Sequence, residues 1–328
     1  MVTSRDVAAR AGVSQATVSR VMSQKPGVTP VTAEKVLVAA RQIGYVPHGA
    51  ARTMKTGRSG NIGVVVDDLA NPYYPELLQA LDTEARGAKV RLVVWLAGKR
   101  ANPAAIEAIR SGTIDGLLFT TATQSSEELS EAIDSRRPVA LLNRRIPDFP
   151  FDQIATDNVA GGRLVASHFL SRGHTNIGFI GGPPDASTTI DRLAGFRARL
   201  AEAGEPLPED LTVHSEYSHR AGFEAYSKIL AARKNVTAIF CANDLLATGV
   251  VDADRDESGG EGAPLAVVGF DNVSLSEWST YSLTTVRQDS RAMARWAIRR
   301  ILMRVRNPDL LEVQKLLPPE LLLRRSSP

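Results

Sequence analysis

The 328-residue chain has a single cysteine, Cys241. That excludes an internal disulfide and any cysteine-based zinc cluster. Flanked by Ile239, Phe240 and Ala242, it reads as a small buried apolar residue. No apolar run approaches the ~20 residues that span a bilayer, and the amino terminus lacks the apolar core of a signal peptide. Both absences point to a cytoplasmic protein with no membrane partner. Catalytic signatures are missing too. There is no Gly-x-Ser-x-Gly elbow, no His-Glu-x-x-His and no Walker A loop. Gly181-Gly182 is better explained as a tight turn than as a phosphate loop. His168, His174, His214 and His219 have neither metal-ligand nor triad spacing and read as surface or packing residues. No metal, cofactor or catalytic residue is expected.

What is present is charge of one sign at one end. Residues 1–58 hold nine Lys/Arg against Asp6 and Glu34, about +7, whereas the rest of the chain is mildly acidic. A basic head on an acidic body implies a nucleic-acid contact confined to that head.

Within it, Asp6-Val-Ala-Ala-Arg-Ala-Gly-Val-Ser-Gln-Ala-Thr-Val-Ser-Arg-Val-Met22 reads as two short helices and a tight turn. Thr3 caps the first, with Asp6 placing a carboxylate at its amino end. Val7, Ala8 and Ala11 give that helix one apolar stripe. Gly12 ends it, because glycine enters the left-handed conformation without a Cβ penalty. Ser14 caps the second helix, whose Val18, Val21 and Met22 face inward. Gln15, Ala16, Thr17, Ser19 and Arg20 then look outward, a surface free of carboxylates and suited to base edges and phosphates. A helix–turn–helix of this kind inserts the start of its second helix into a major groove. A third helix opens at Thr29-Pro30 and closes at Gly44.

His48–Met54 has room for two helical turns, but nucleation makes so short a helix marginal, and Gly49 weakens it by about 1 kcal/mol relative to Ala. It is expected to fold only when held. From Asn61 apolar runs alternate with amphipathic segments. Ile62–Val66, Val90–Leu96, Gly116–Phe119 and Val139–Leu142 read as strands buried on both faces, with helices at about Pro75–Gly87, Pro103–Ser111 and Glu127–Ser135. The alternation restarts after Asp157: helix Gly161–Ser171, strand Ile177–Ile180, helix Asp191–Glu202, strand Leu211–His214, helix Ala221–Ala231. Strand Ala238–Cys241, helix Asp244–Asp254 and strand Leu265–Phe270 complete it, with Asp254–Ala263 as a surface loop. The pattern predicts an α/β chain of two doubly wound lobes with parallel sheets.

With these residues in view, the chain resembles the lactose-repressor (LacI) family of bacterial transcription regulators along its whole length. The resemblance rests on the Asp6–Val21 signature and on later landmarks: Gly44-Tyr45-x-Pro47, Asn71-Pro72-Tyr73, Asp157-Asn158, Arg192-Leu-Ala-Gly-Phe196, Ala242-Asn243-Asp244, Val268-Gly-Phe-Asp271 and Leu283-Thr-Thr-Val-Arg-Gln288. It implies a helix-turn-helix headpiece at 1–46, a hinge helix and linker at 47–60, and a two-lobed periplasmic-binding-protein-like core. One lobe would comprise 61–158 with 289–317, the other 159–288 with 318–328. It also implies a small-molecule effector between the lobes, a palindromic operator and a homodimer. The final Leu-Leu-Pro-Pro-Glu-Leu-Leu-Leu-Arg-Arg reads as a terminal strand rather than a tetramerising helix.

Carried over by position, Ser14, Gln15, Ala16, Thr17, Ser19 and Arg20 would contact DNA, with Gln15 and Ala16 selecting the operator. Met54 stands where Leu is usual as a minor-groove wedge, a role Met can fill. Tyr73 and Tyr217 would wall the effector. Asn143, Asp157, Arg192, Asn243, Asp271 and Gln288 would supply polar contacts, although Asn143 replaces a frequent Asp, and Asn243 and Asp271 could instead cap helices. Such a set suits a sugar, sugar derivative or nucleoside. The alternatives are a solute-binding protein, which would need export and no basic head, and an enzyme on the same lobes.

Overall fold

In the computed structural model the described residues are 2–23, 26–45, 57–97, 101–123, 129, 131–132, 135, 137–232, 235–258 and 265–328. They divide into two compact units, one ending at Ser59 and the other starting at Gly60.

The first unit is built on α1 (Ser4–Ala11), α2 (Gln15–Met22) and α3 (Pro30–Gln42). The Asp6 carboxylate accepts from the Thr3 amide at 2.8 Å and from its hydroxyl at 2.9 Å, which holds that carboxyl below its ordinary pKa. Gly12 turns the chain at φ 65°. Ser14 then accepts from the Thr17 amide at 3.1 Å and starts α2. Val7, Val18 and Val36, one from each helix, meet at the centre of a small core. Met22, expected inside, is only half-buried.

The second unit holds two six-stranded sheets. The first has the order β11-β5-β4-β3-β1-β2, from β1 (Asn61–Val66), β2 (Arg91–Leu96), β3 (Gly116–Phe119), β4 (Val139–Leu142), β5 (Asp152–Thr156) and β11 (Gln314–Leu317). All its pairings are parallel. The second has the order β12-β10-β9-β8-β6-β7, from β6 (Ile177–Gly181), β7 (Thr212–His214), β8 (Ala238–Cys241), β9 (Ala266–Asp271), β10 (Thr284–Arg287) and β12 (Glu320–Leu322). There β12 alone runs antiparallel, against β10. Helices α4 (Tyr73–Gly87), α5 (Ala101–Arg110) and α10 (Ser290–Arg306) pack on the first sheet. Helices α6 (Asn158–Ser171), α7 (Ser187–Glu202), α8 (His219–Ala232) and α9 (Asp244–Ser258) flank the second. The chain passes between the two lobes after β5, after β10 and after β11.

Five expectations need correction. β2 is an edge strand, not one buried on both faces, and leaves Val94 and Leu96 exposed. β5 escaped the sequence reading because Asp-Gln-Ile-Ala-Thr looks polar. Its Asp152 is fully buried between Arg300 and Arg304, and Gln153 bonds the amide and carbonyl of Ile146 at 2.8 Å each. α9 runs on to Ser258, through the first part of the expected loop. The expected terminal strand is two strands, β11 and β12, parted by Pro318-Pro319 and placed in different sheets. Finally α7 starts at Ser187, so Arg192 lies in its second turn rather than at its start.

Candidate functional site

The surface expected to face DNA belongs to the first unit. Gln15, Ala16 and Arg20 on α2 are exposed, and Thr17 and Ser19 are half-exposed. Burial of Val18 and Val21 fixes which side of α2 points inward, and therefore which side is left for a groove. The Gln15 amide donates to the Ser4 hydroxyl at 2.7 Å, so that it is held across the start of α1. Met54 lies outside the described residues.

The second site lies between the lobes, where strand ends of both sheets meet. This is where ligands bind on open α/β sheets. From the first lobe, Tyr73 opens α4 and donates its hydroxyl to Asn143 Oδ1 at 3.0 Å. Asn143 follows β4 with φ 74°, a left-handed conformation that Asn tolerates better than most residues. From the second lobe come Arg192, Tyr217, Asn243 and Asp271.

Arg192 is 2% exposed, and its guanidinium is held from several sides. Nε donates to Asn158 Oδ1 at 2.8 Å, Nη1 to the Ala242 carbonyl, and Nη2 to Asp271 Oδ1 at 3.5 Å. The Phe270 ring lies 3.6 Å beneath it. Glycines set this position. A Cβ on Gly162 would sit 2.1 Å from the Arg192 carbonyl oxygen, and one on Gly195 would sit 2.0 Å from that of Val159. α6 and α7 therefore cross at backbone contact, which brings Asn158 onto Arg192.

Asp271 has φ 117°, rare for a residue with a side chain. Its Oδ1 also accepts from Gln288 Nε2 at 2.7 Å, and Gln288 in turn accepts from Thr156 of the first lobe at 2.8 Å. Burial pushes the Asp271 carboxyl up to about 6, against the opposing pull of Arg192. Asn243 caps α9, its Oδ1 accepting from the Leu246 amide at 2.9 Å. Asp157 caps α6 through the Ala160 amide at 2.9 Å. Tyr217 bonds Thr189 at 2.7 Å and Thr188 at 3.2 Å, and its ring lies on the backbone of Gly182. Gly182, at the bend that follows β6, thus also allows this close approach.

Tyr73, Asn143, Arg192, Tyr217, Asn243 and Asp271 come together around a cavity of only about 20 Å³, little more than one water needs. Asp157 does not line it, and Gln288 reaches it through Asp271. The lobes are also tied by the Arg145 amide to Ser187 Oγ at 3.0 Å and by the Ser274 amide to Glu76 at 2.8 Å. The sequence reading missed Tyr74 and Arg144, which line the same cavity. Arg144 had a usable signal: it stands just past the end of an apolar strand, next to Asn143.

Residues 3–48 match the model for bacterial regulatory proteins of the lacI family, and residues 166–327 match a periplasmic binding protein-like domain. The HTH-type transcriptional regulator DegA of Bacillus subtilis is 32% identical over 98% of this chain and 97% of its own. The chain belongs to the LacI family. The ribose operon repressor of Escherichia coli is 29% identical over the full length of both chains. A solved structure of the Lac repressor dimer bound to operator and the anti-inducer ONPF superposes with a TM-score of 0.84, at 28% identity over 99% of each chain. As a LacI-family protein the chain is a DNA-binding transcriptional regulator, with a helix-turn-helix unit and a two-lobed core. Among the described residues no helix is long and apolar enough to cross a membrane.

Proposed function

We propose that this regulator is a homodimeric repressor whose hold on a palindromic operator is controlled by a small polyhydroxylated effector between the core lobes. Gln15 and Ala16 face the base edges, and Ser14, Thr17, Ser19 and Arg20 add base and phosphate contacts. Met54 is the minor-groove wedge. In the cleft Tyr73 and Tyr217 form walls. Arg192 donates to vicinal hydroxyls, while Asp271, Asn243 and Asn143 supply an acceptor and amides. Gln288 positions Asp271, and Asp157 secures the start of α6. One lobe spans 61–158 with 289–317, the other 159–288 with 318–328.

The observation that carries this reading is the buried Arg192–Asp271 pair with Asn243, facing Tyr73 and Asn143 of the other lobe across the cavity. Such a set of convergent polar groups between aromatic walls suits a sugar. The relatives support it, one being named for a ribose operon and another solved with an anti-inducer. An effector held by both lobes favours one angle between them, and signalling requires only that this angle differ between the DNA-bound and free states.

Gel shifts of the full chain on palindromes recovered by selection from random duplexes test the DNA half of the proposal. Thermal shifts against a sugar and nucleoside panel test the other. Binding to no duplex, or to half-sites as well as to palindromes, contradicts it.

A further inference from the structure

Beside the nearly closed cluster lies a second interlobe cavity of about 290 Å³, lined by Asp67, Phe119, Thr121, Arg144, Pro183 and Asp185 among others. It is close to the lower end of small-molecule pockets, about 300 Å³. Arg144 lines both cavities and is only 6% exposed. Its Nη1 donates to the Thr121 carbonyl at 2.6 Å, but its buried Nε has no hydrogen-bond partner. No described carboxylate forms an ion pair with it. A guanidinium cannot shed its proton, so this is a buried cation with no ion-pair partner among the described residues, a costly arrangement unless something supplies one. With Nη1 taken by Thr121, Nε and Nη2 form one free edge, whose parallel N–H bonds match the two oxygens of a carboxylate.

The rest of the cavity limits what the anion can be. Asp67 ends the β1 side of the first lobe, Asp185 follows β6 in the second, and neither side chain accepts a hydrogen bond from the described residues. Both are acceptors in want of donors, which hydroxyls provide. Both also repel negative charge, and a phosphate dianion suffers roughly twice the repulsion of a monocarboxylate. We propose that the effector is a sugar acid: its one carboxylate lies on the Nε/Nη2 edge of Arg144, and its hydroxyls donate to Asp67 and Asp185. This rests on the cleft being the effector site, and makes Arg144 the residue that selects the acid over its parent sugar.

The test uses the full chain and matched probes: D-glucose with D-glucuronate, D-galactose with D-galacturonate, D-gluconate and glucose 6-phosphate, read by thermal shift and calorimetry. The expected result is that one acid binds at least tenfold more tightly than its parent aldose. Arg144→Gln removes that preference, and Arg144→Lys, which keeps the charge and loses the fork, restores part of it. The wild-type comparison of acid with aldose stands even if a variant fails to fold. An aldose or the phosphate binding as tightly as the acids overturns the proposal, as does an Arg144→Gln protein that folds and keeps the preference. Arg192→Ala separates the two levels. If it abolishes binding of a neutral sugar while the acids stay silent, the cleft stands and the sugar acid falls. If the whole panel is silent on the wild type, both fall.

Discussion

Arg192 shows how much of the site a single side chain carries. Its partners lie on α6 (Asn158), just after β8 (Ala242) and on β9 (Asp271 and the Phe270 ring), all elements that build or flank the second sheet, so it is not a strut between the two sheets. The 3.5 Å contact to Asp271 is the longest and the easiest for an effector hydroxyl to replace. Arg192→Ala is expected to lower effector affinity at least tenfold by calorimetry, the effect of losing about 1.5–3 kcal/mol of charged hydrogen bonding. Asp271 predicts a pH dependence of defined sign. Its folded-state value, about 6, lies above the ordinary 3.8, so the folded core takes up a proton between those values. The Asp271 contribution to thermal stability should therefore rise as the pH falls from about 7 toward 5; the Asp244 carboxyl, also pushed up by burial, acts in the same direction, and the His168 and His174 rings, pushed down by burial, act against it. Effector affinity should move the other way, weakening below about 6, because a hydroxyl donates best to the ionised Asp271. Melts and calorimetry at pH 5.5 and 7.5 check both signs. Arg192, Asn243 and Asp271 could be singled out in the sequence because each sits in a landmark motif of the LacI family. Arg144 was not singled out, although it stands just past the end of the apolar strand β4 and next to Asn143.

At the scale of elements, the α6–α7 crossing matters most. Gly162 and Gly195 allow backbone contact that any side chain would block. Gly195→Ala is expected to cost about 1–3 kcal/mol in chemical denaturation, as overpacking does, and to weaken effector binding by moving Asn158 off Arg192. An unchanged midpoint with unchanged affinity would show that the helices part freely. The alternation of apolar runs and amphipathic stretches revealed most strands and helices, because parallel strands under helices are apolar throughout. It failed where polarity is satisfied internally: Asp152, clamped by Arg300 and Arg304, disguised β5 as a loop. It failed also at β2, whose apolar residues sit on a sheet edge rather than inside, a matter of pairing order that local pattern does not encode.

For the whole molecule, the separation of charge is the governing feature. A basic amino-terminal part of about +7 precedes a mildly acidic remainder, so DNA contact is confined to one end. In a homodimer, two such heads that neutralise roughly 6–10 phosphates give operator affinity a log–log salt slope of about −5 to −9. A slope shallower than about −2 would mean that the basic residues do not follow the backbone. The family and its two-lobed core were legible because the helix-turn-helix signature and the cleft motifs recur in order along the chain. The closure of the cleft to about 20 Å³ was not, since it depends on how two lobes meet rather than on either alone. Ligand control of DNA binding is read by fluorescence anisotropy of the full chain on the duplex recovered by selection, titrated with the compound that stabilises the core. Saturating compound is expected to change operator affinity at least about fivefold. Equal affinity with the cleft occupied and empty would contradict it.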